Sequence, residues 1–266
     1  MSDAPVWSTR VVVAAEEIDG QSSVPRFAGR GKADAYVSWR RFPSGLTNTV
    51  GFAHSTDNGA TWSAPVSVPA DFFTIDQILG NDRVNTSPSL AVDRSSGPRS
   101  GTVYLVYPNN DSGDGADIAF QKSTDRGATF SPPIFLNSRP GQDRAQWFPW
   151  VTVDPGSGRI YVFYYDQQIA TSGDLTEVSY TFSHDGGAHW SRPTPLNRRP
   201  FHAGHGNDTG QPNIGDYNQA IAQGGELFAA WSETSPVGFA DGQPDSTSFT
   251  TPDATQNNNH LSVVNM

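Results

Sequence analysis

One octet constrains this chain more than any other feature: the pattern S-x-D-x-G-x-x-[W/F] occurs at residues 55–62, 123–130 and 183–190. The steps between its serines are 68 and 60 residues. A pattern recurring at that period points to an array of similar supersecondary units, not to one irregular core. The residue types suit a tight hairpin corner. An aspartate accepts hydrogen bonds from nearby backbone N–H groups in turns. The glycine two positions later supplies a positive φ. The closing Trp or Phe buries a large apolar area that pins the turn to a sheet.

Around each octet the same four strands are expected, filled by β-branched and aromatic residues and separated by Gly, Pro, Asp and Ser. The second unit gives 89–93, 102–107, 118–121 and 133–136, and the third gives 150–154, 160–165, 178–182 and 194–196. The first gives 35–39, 50–53 and 65–68. A fourth begins with 219–222 and 227–231, passes through a polar segment at 232–259 that lacks an octet, and ends on a strand at 260–264. Its hairpin turns at Gly224-Gly225, so residues whose numbers sum to about 449 face each other. The fold class expected is all-β: a β-propeller of four-stranded antiparallel blades, about four of them visible, forming one domain over 1–266. Trp7-Ser8-Thr9-Arg10-Val11-Val12-Val13 matches the stretch from Trp62 to Val68, so an N-terminal strand over 6–13 is expected to complete the last blade. Pairing the termini would remove an exposed sheet edge. The chain either closes as a four-unit ring or is part of a larger one.

Composition narrows the function classes. With 17 basic and 27 acidic residues the formal charge is −10, which argues against nucleic-acid or anionic-membrane binding. The absence of cysteine excludes disulfides and thiolate metal sites. No apolar run reaches the length of a membrane span. Met1-Ser2-Asp3-Ala4-Pro5 opens no signal peptide. The chain is therefore expected to be intracellular, or a mature or truncated form.

The octets resemble the Asp-box of the bacterial neuraminidase repeat, found in sialidases and related β-propellers. Trp147-Phe148-Pro149-Trp150, Val153-Asp154-Pro155 and Gly215-Asp216-Tyr217 add to a resemblance that covers about four-fifths of the chain. It implies a six-bladed ring, secretion or cell-surface placement, and a carbohydrate partner, in its finer form a sialylated glycan. It also implies that Asp57, Gly59, Trp62, Asp125, Gly127, Phe130, Asp185, Gly187 and Trp190 are scaffold, on the face opposite the active site.

Candidate site residues lie at the other end. Aligning the second strands makes Trp39, Tyr107, Tyr164 and Trp231 equivalent, with Arg41, Asn109, Asp166 and Glu233 two residues further on. Strand period two then gathers those four around the mouth of the central channel. Their type changes from unit to unit, as it would in a site grafted on a repeated scaffold; drift at exposed positions has the same appearance. Asp82-Arg83 and Asp143-Arg144 recur before the inner strands, either as salt-bridged braces or as cations for a substrate carboxylate. Sialidases use three such arginines, and Arg41 or Arg199 would be the third beside Arg83 and Arg144. The family's Arg-Ile-Pro signature is absent, Val24-Pro25-Arg26-Phe27 being a loose echo. By analogy with the family, Tyr217 would be the nucleophile, Glu233 its proton acceptor and Asp166 the acid/base. The alternative packs Tyr217 against the channel wall and pairs Glu233 with an arginine.

No cofactor is required by this reading. Asp111, Asp114 and Asp117 sit among glycines in the manner of a calcium loop, so a structural calcium is one expectation and an ordinary polar turn the other. His202, His205 and Asp208 fit no metalloprotease spacing and read as a solvated loop. Exo-sialidase-type glycoside hydrolysis thus stands beside a non-catalytic propeller that displays its loops to a glycan or protein, or that joins the remainder of a larger ring.

Overall fold

A computed structural model describes residues 8–15, 20–29, 31–41, 49–68, 84, 87–109, 115–137, 144–168, 175–197, 200–203, 214, 218–234 and 257–265. Among them there is no α-helix, and the strands form propeller blades. Blade one runs β1 (Gly20–Phe27), β2 (Ala35–Arg41), β3 (Thr49–Ser55), β4 (Val66–Ser67), paired antiparallel in that order. Blade two is β5 (Ser89–Val92), β6 (Val103–Asn109), β7 (Gly115–Ser123) and β8 (Ile134–Phe135). Blade three is β9 (Arg144–Val153), β10 (Ile160–Asp166), β11 (Leu175–Ser183) and β12 (Thr194–Pro195). The two-residue strand β13 (Phe201–His202) pairs with the start of β11. A short parallel contact, Gly115–Ala116 against Arg144–Ala145, joins blades two and three. The fourth sheet is β14 (Gln219–Gln223), β15 (Glu226–Thr234) and β16 (Asn257–Asn265). Its hairpin pairs Gln219 with Ala230 and Gln223 with Glu226, the register expected from the glycine turn.

The sequence reading departs from this in three places. The inner strand β1 was not foreseen, because Gln21-Ser22-Ser23 carries no strand pattern. Pairing with β2 orders it all the same, with a register shift between Gln21 and Val24. The outer strands shrink to two residues each. Ser8 to Val13 form no strand and complete no blade: Val11 and Val12 stay 43% and 58% exposed, so the valine run gains no sheet-like burial.

The core lies between blades. All seven residues of β6 and of β10 are buried, because each has a neighbouring sheet on both sides. Alternation sends successive side chains to opposite neighbours. Val103, Leu105 and Tyr107 pack with Tyr36 and Phe52 of blade one. Tyr104 and Val106 pack with Val162 and Tyr164 of blade three. Tyr161, Phe163 and Tyr165 pack with Leu227 and Trp231 of the fourth sheet.

The octets close the third strands and share one wiring. The serine hydroxyl donates to the aspartate Oδ1, at 2.8, 2.7 and 2.8 Å for Ser55, Ser123 and Ser183. Each serine oxygen also accepts the octet glycine N–H, at 2.8, 2.7 and 2.9 Å. Asp57 and Asp125 take both the N–H and the hydroxyl of a threonine four residues on. Those bonds, the hydroxyl's foremost, hold both carboxyls down at about 2. Asp185 binds the His189 N–H and ring instead, and is also held well below the usual carboxylate range.

The turn carries two successive left-handed residues, at φ 59° and 85° for Asn58-Gly59, 62° and 84° for Arg126-Gly127, and 76° and 82° for Gly186-Gly187. Its glycine also seats each octet on the preceding blade. A Cβ on Gly127 would lie 2.0 Å from the Phe52 ring, and one on Gly187 2.5 Å from Phe120. The octet aromatics complete the same contact edge-on: Phe130 lies 5.2 Å from Phe52, and Trp190 4.9 Å from Phe120. Polar bonds reinforce it. Arg126 pairs with Asp34 at 3.0 Å, Lys122 donates to the Gly186 carbonyl at 2.8 Å, and Arg99 donates to the His184 carbonyl at 2.8 Å. Among the described residues Gly59 has no such neighbour, and its Cβ would meet only Trp62 at 3.8 Å.

The three glycines therefore differ in what alanine costs. Gly59→Ala carries only the left-handed backbone term, about 1–2 kcal/mol. Gly127→Ala and Gly187→Ala add overpacking of about 1–3 kcal/mol. Urea denaturation of the three variants should rank them so, and equal losses would contradict the seating.

Candidate functional site

Each second strand starts beside an octet and ends at the opposite face. Ala35 pairs with Ser55, Val103 with Ser123 and Ile160 with Ser183. Arg41, Asn109 and Asp166 close the other ends, and Glu233 is the penultimate residue of β15. Six residues of strand put those ends about 20 Å from the octets. The four expected residues thus share one end of the molecule, hereafter the upper end.

None of their side chains lines the cavity between the inner strands at this end. Asn109 follows Leu105 and Tyr107 on the face of β6 turned to blade one, and is buried. Asp166 follows Val162 and Tyr164 on the face turned to blade two. Glu233 follows Trp231, on the side packed against blade three, and accepts the Trp231 indole N–H at 2.9 Å. Arg41 donates to Ser67 Oγ at 2.8 Å, which holds its guanidinium at the outermost strand of its blade. Arg144 opens β9, half-buried, opposite Gly115.

Asp166 has the most developed surroundings. It is 6% exposed and accepts the Gln168 N–H at 2.8 Å and the Gln146 side-chain N–H at 3.1 Å. Glu177 is its cross-strand partner on β11. Directly opposed residues stand about 5 Å apart at Cβ, so two carboxyls share this row. Burial pushes the Asp166 carboxyl up against the pull of its two hydrogen bonds. Burial and the Asp166 charge push Glu177 up as well, and the Tyr164 hydroxyl above them is raised by the same two causes. A pair held towards its protonated form is chemically suited to proton transfer.

A cavity of about 630 Å³ opens between the inner strands at this end. Phe148, Trp150 and Trp231 give it aromatic walls, and Ser87, Asn218 and Gln219 give it hydroxyl and amide groups. The wall at β9 is shaped by a bulge where Phe148 adopts φ 49°. The Asn218 amide donates to the Phe148 carbonyl at 2.6 Å, and the Trp150 indole donates to the Ala220 carbonyl at 2.8 Å, locking β14 to β9. Tyr165 does the same for β15, since its buried hydroxyl donates to the Ser232 carbonyl at 2.7 Å and accepts the Ser232 N–H at 3.0 Å. Among the described residues the cation lining this cavity is Arg26, whose guanidinium lies 5.3 Å from the Trp150 ring centre. Neither Arg41 nor Arg144 lines it.

Arg26 and β1 are what sequence reasoning missed, and Val24-Pro25-Arg26-Phe27 was the signal that pointed to them. Tyr217, Arg83, Arg199, Asp111 and Asp114 lie outside the described residues, as do His205 and Asp208. Asp117, the remaining residue of the calcium-loop expectation, is buried and accepts the Asn137 amide at 2.6 Å. Among the described residues no group of three or more His, Asp or Glu is placed to hold a metal ion. Among the described residues there is no helix long and apolar enough to cross a membrane.

No family model matches the sequence, and no curated protein matches it. Solved structures do resemble the fold. The GH93 alpha-L-arabinofuranosidase of Fusarium graminearum, in complex with arabinobiose, aligns at TM-score 0.50 and 15% identity over 84% of this chain and 59% of that one. The NanB sialidase of Streptococcus pneumoniae aligns at TM-score 0.52 and 11% identity over 87% of this chain and 51% of that one. The chain thus spans between about half and three-fifths of the length of these structures. At such identities the likeness is one of fold.

The raised Asp166 carboxyl fixes the sign of a pH effect. An acid whose folded pKa lies above its unfolded value contributes least stability above the folded pKa and most below the unfolded one. Wild type should therefore gain melting temperature relative to Asp166→Asn as the pH falls from 7 towards 4. Parallel melting curves for the two proteins across that range would contradict the buried carboxyl.

Proposed function

We propose that this chain acts on a carbohydrate held in the upper cavity, as a glycoside hydrolase. The observation that carries the proposal is the make-up of that cavity. Aromatic planes offer apolar contact to sugar ring faces, and serine, asparagine and glutamine groups offer hydrogen bonds to hydroxyls. A volume of about 630 Å³ suits a ligand of one or two sugar units. The fold shared with the Fusarium arabinofuranosidase and the Streptococcus sialidase supports the same class of substrate.

The upper end also supplies acids. Glu233 is hydrogen-bonded to Trp231, itself a wall of the cavity, which couples a carboxylate to the sugar-binding surface. Asp166 and Glu177 provide the carboxyls held towards the protonated state. In the finer, sialidase form of the reading, Tyr217 attacks the anomeric carbon and Glu233 takes its proton. In the same step Asp166 protonates the leaving oxygen as the glycosidic bond breaks, while Arg83 and Arg144 bind the sugar carboxylate. The hold of Ser67 on Arg41 counts against its being the third arginine.

One observation favours binding without hydrolysis: no carboxylate of the described residues lines the cavity itself. A panel of chromogenic arabinosides and sialosides separates the readings. The hydrolase reading expects turnover of one class and a fall of about 100-fold or more in kcat for Glu233→Gln. It also expects weakened binding for Trp231→Ala. Glycan binding that Trp231→Ala abolishes, with no turnover, leaves the carbohydrate partner and removes the hydrolase. Neither binding nor turnover across the panel overturns both.

A further inference from the structure

Below the upper cavity the channel continues into a second chamber of about 180 Å³, at the octet end. Arg26, Trp150 and Gln219 belong to both chambers and form the partition between them. Phe27, Ala91, Val92 and Ile221 line the lower one with apolar side chains, and Thr152 and Gln219 add polar ones. Phe27 and Ile221 remain more than half exposed there, so the chamber opens to solvent. A second arginine, the exposed Arg94, also lines it; it follows β5, and its stem packs against Gly29.

We infer that the lower chamber is a site for a small oxyanion, a carboxylate, sulfate or phosphate group, held between Arg26 and Arg94. Two cations share a small chamber in a chain whose formal charge is −10. Among the described residues neither is paired with a carboxylate. The hydrogen bond of Arg26 goes to the neighbouring Pro25 carbonyl at 2.9 Å, and one face of its guanidinium rests on Trp150. The other N–H donors of its planar fork are left for a ligand. Three acids among the described residues have other partners. Asp93 accepts the Ser95 N–H at 2.8 Å and lies beside Gly158. Asp34 holds Arg126. Asp154 accepts N–H groups of Gly156 and Gly225. Burial, with the Arg94 charge as a second cause, lowers the Arg26 guanidinium from its ordinary value. An anion between the two would relieve that repulsion. The chamber's size favours a single oxyanion group over a sugar ring.

The site is independent of the carbohydrate proposal, because Arg94 does not line the upper cavity. The test is thermal unfolding of the whole chain titrated with sulfate, phosphate or acetate, with sodium chloride holding the ionic strength constant. Wild type should show a saturable rise in Tm with at least one of these anions. A tetrahedral preference points to sulfate or phosphate, and an acetate response to a carboxylate. Arg94→Gln should lose the saturable rise, while sugar binding at the upper cavity stays unchanged. Arg94→Lys, which keeps the charge but not the fork, should need about tenfold more anion for half-saturation. The same titration curve in wild type and both variants, or a Tm that follows ionic strength alone, overturns the site.

Discussion

The seating of the second and third octets on the aromatic ring of the preceding blade is the interaction on which the rest of this structure depends. Phe52 and Phe120 are nearly fully buried, and burial on that scale contributes about 2 kcal/mol per ring. A side chain on Gly127 or Gly187 would push the next blade away from the ring it rests on. The serine–aspartate network inside each octet holds the turn in the left-handed backbone that the seat requires. Local turn chemistry and long-range packing are therefore one device, repeated at each interface that has an octet.

Locking the blades at one end leaves the other end free to vary. The octet end repeats nearly the same residues, while the equivalent upper positions are Arg41, Asn109, Asp166 and Glu233. The inner strands converge between these ends, with Arg26 lying across the channel on Trp150 and dividing it. Aromatic and polar groups line the upper chamber, and a second arginine, Arg94, lines the lower. The fourth sheet, which lacks an octet, is tied on by hydrogen bonds instead. Trp150, Tyr161 and Tyr165 each reach a backbone carbonyl of that sheet, at 2.8, 3.0 and 2.7 Å.

Much of this was legible from residues alone. The octets announced the corners, the β-branched and aromatic runs announced the second and third strands, and Gly224-Gly225 announced the register of β14 and β15. Side-chain direction was harder to read. Alternation gives two faces for Asp166 or Asn109, but which face meets which neighbour follows from how the blades stack. Strand β1 escaped notice because its residues are mostly exposed and polar, so burial left no mark on the sequence. Arg26 escaped with it. The valines at Val11 to Val13 imitate an outer strand, yet sequence likeness to Val66–Ser67 does not supply a partner edge.

A double-mutant cycle on Phe52 and Phe130, whose rings meet edge-on at 5.2 Å across the first blade interface, tests the account most directly. Unfolding free energies of Phe52→Leu, Phe130→Leu and the double variant should show a coupling of about 1 kcal/mol. Additivity to within about 0.3 kcal/mol would mean that the octet does not rest on the blade before it.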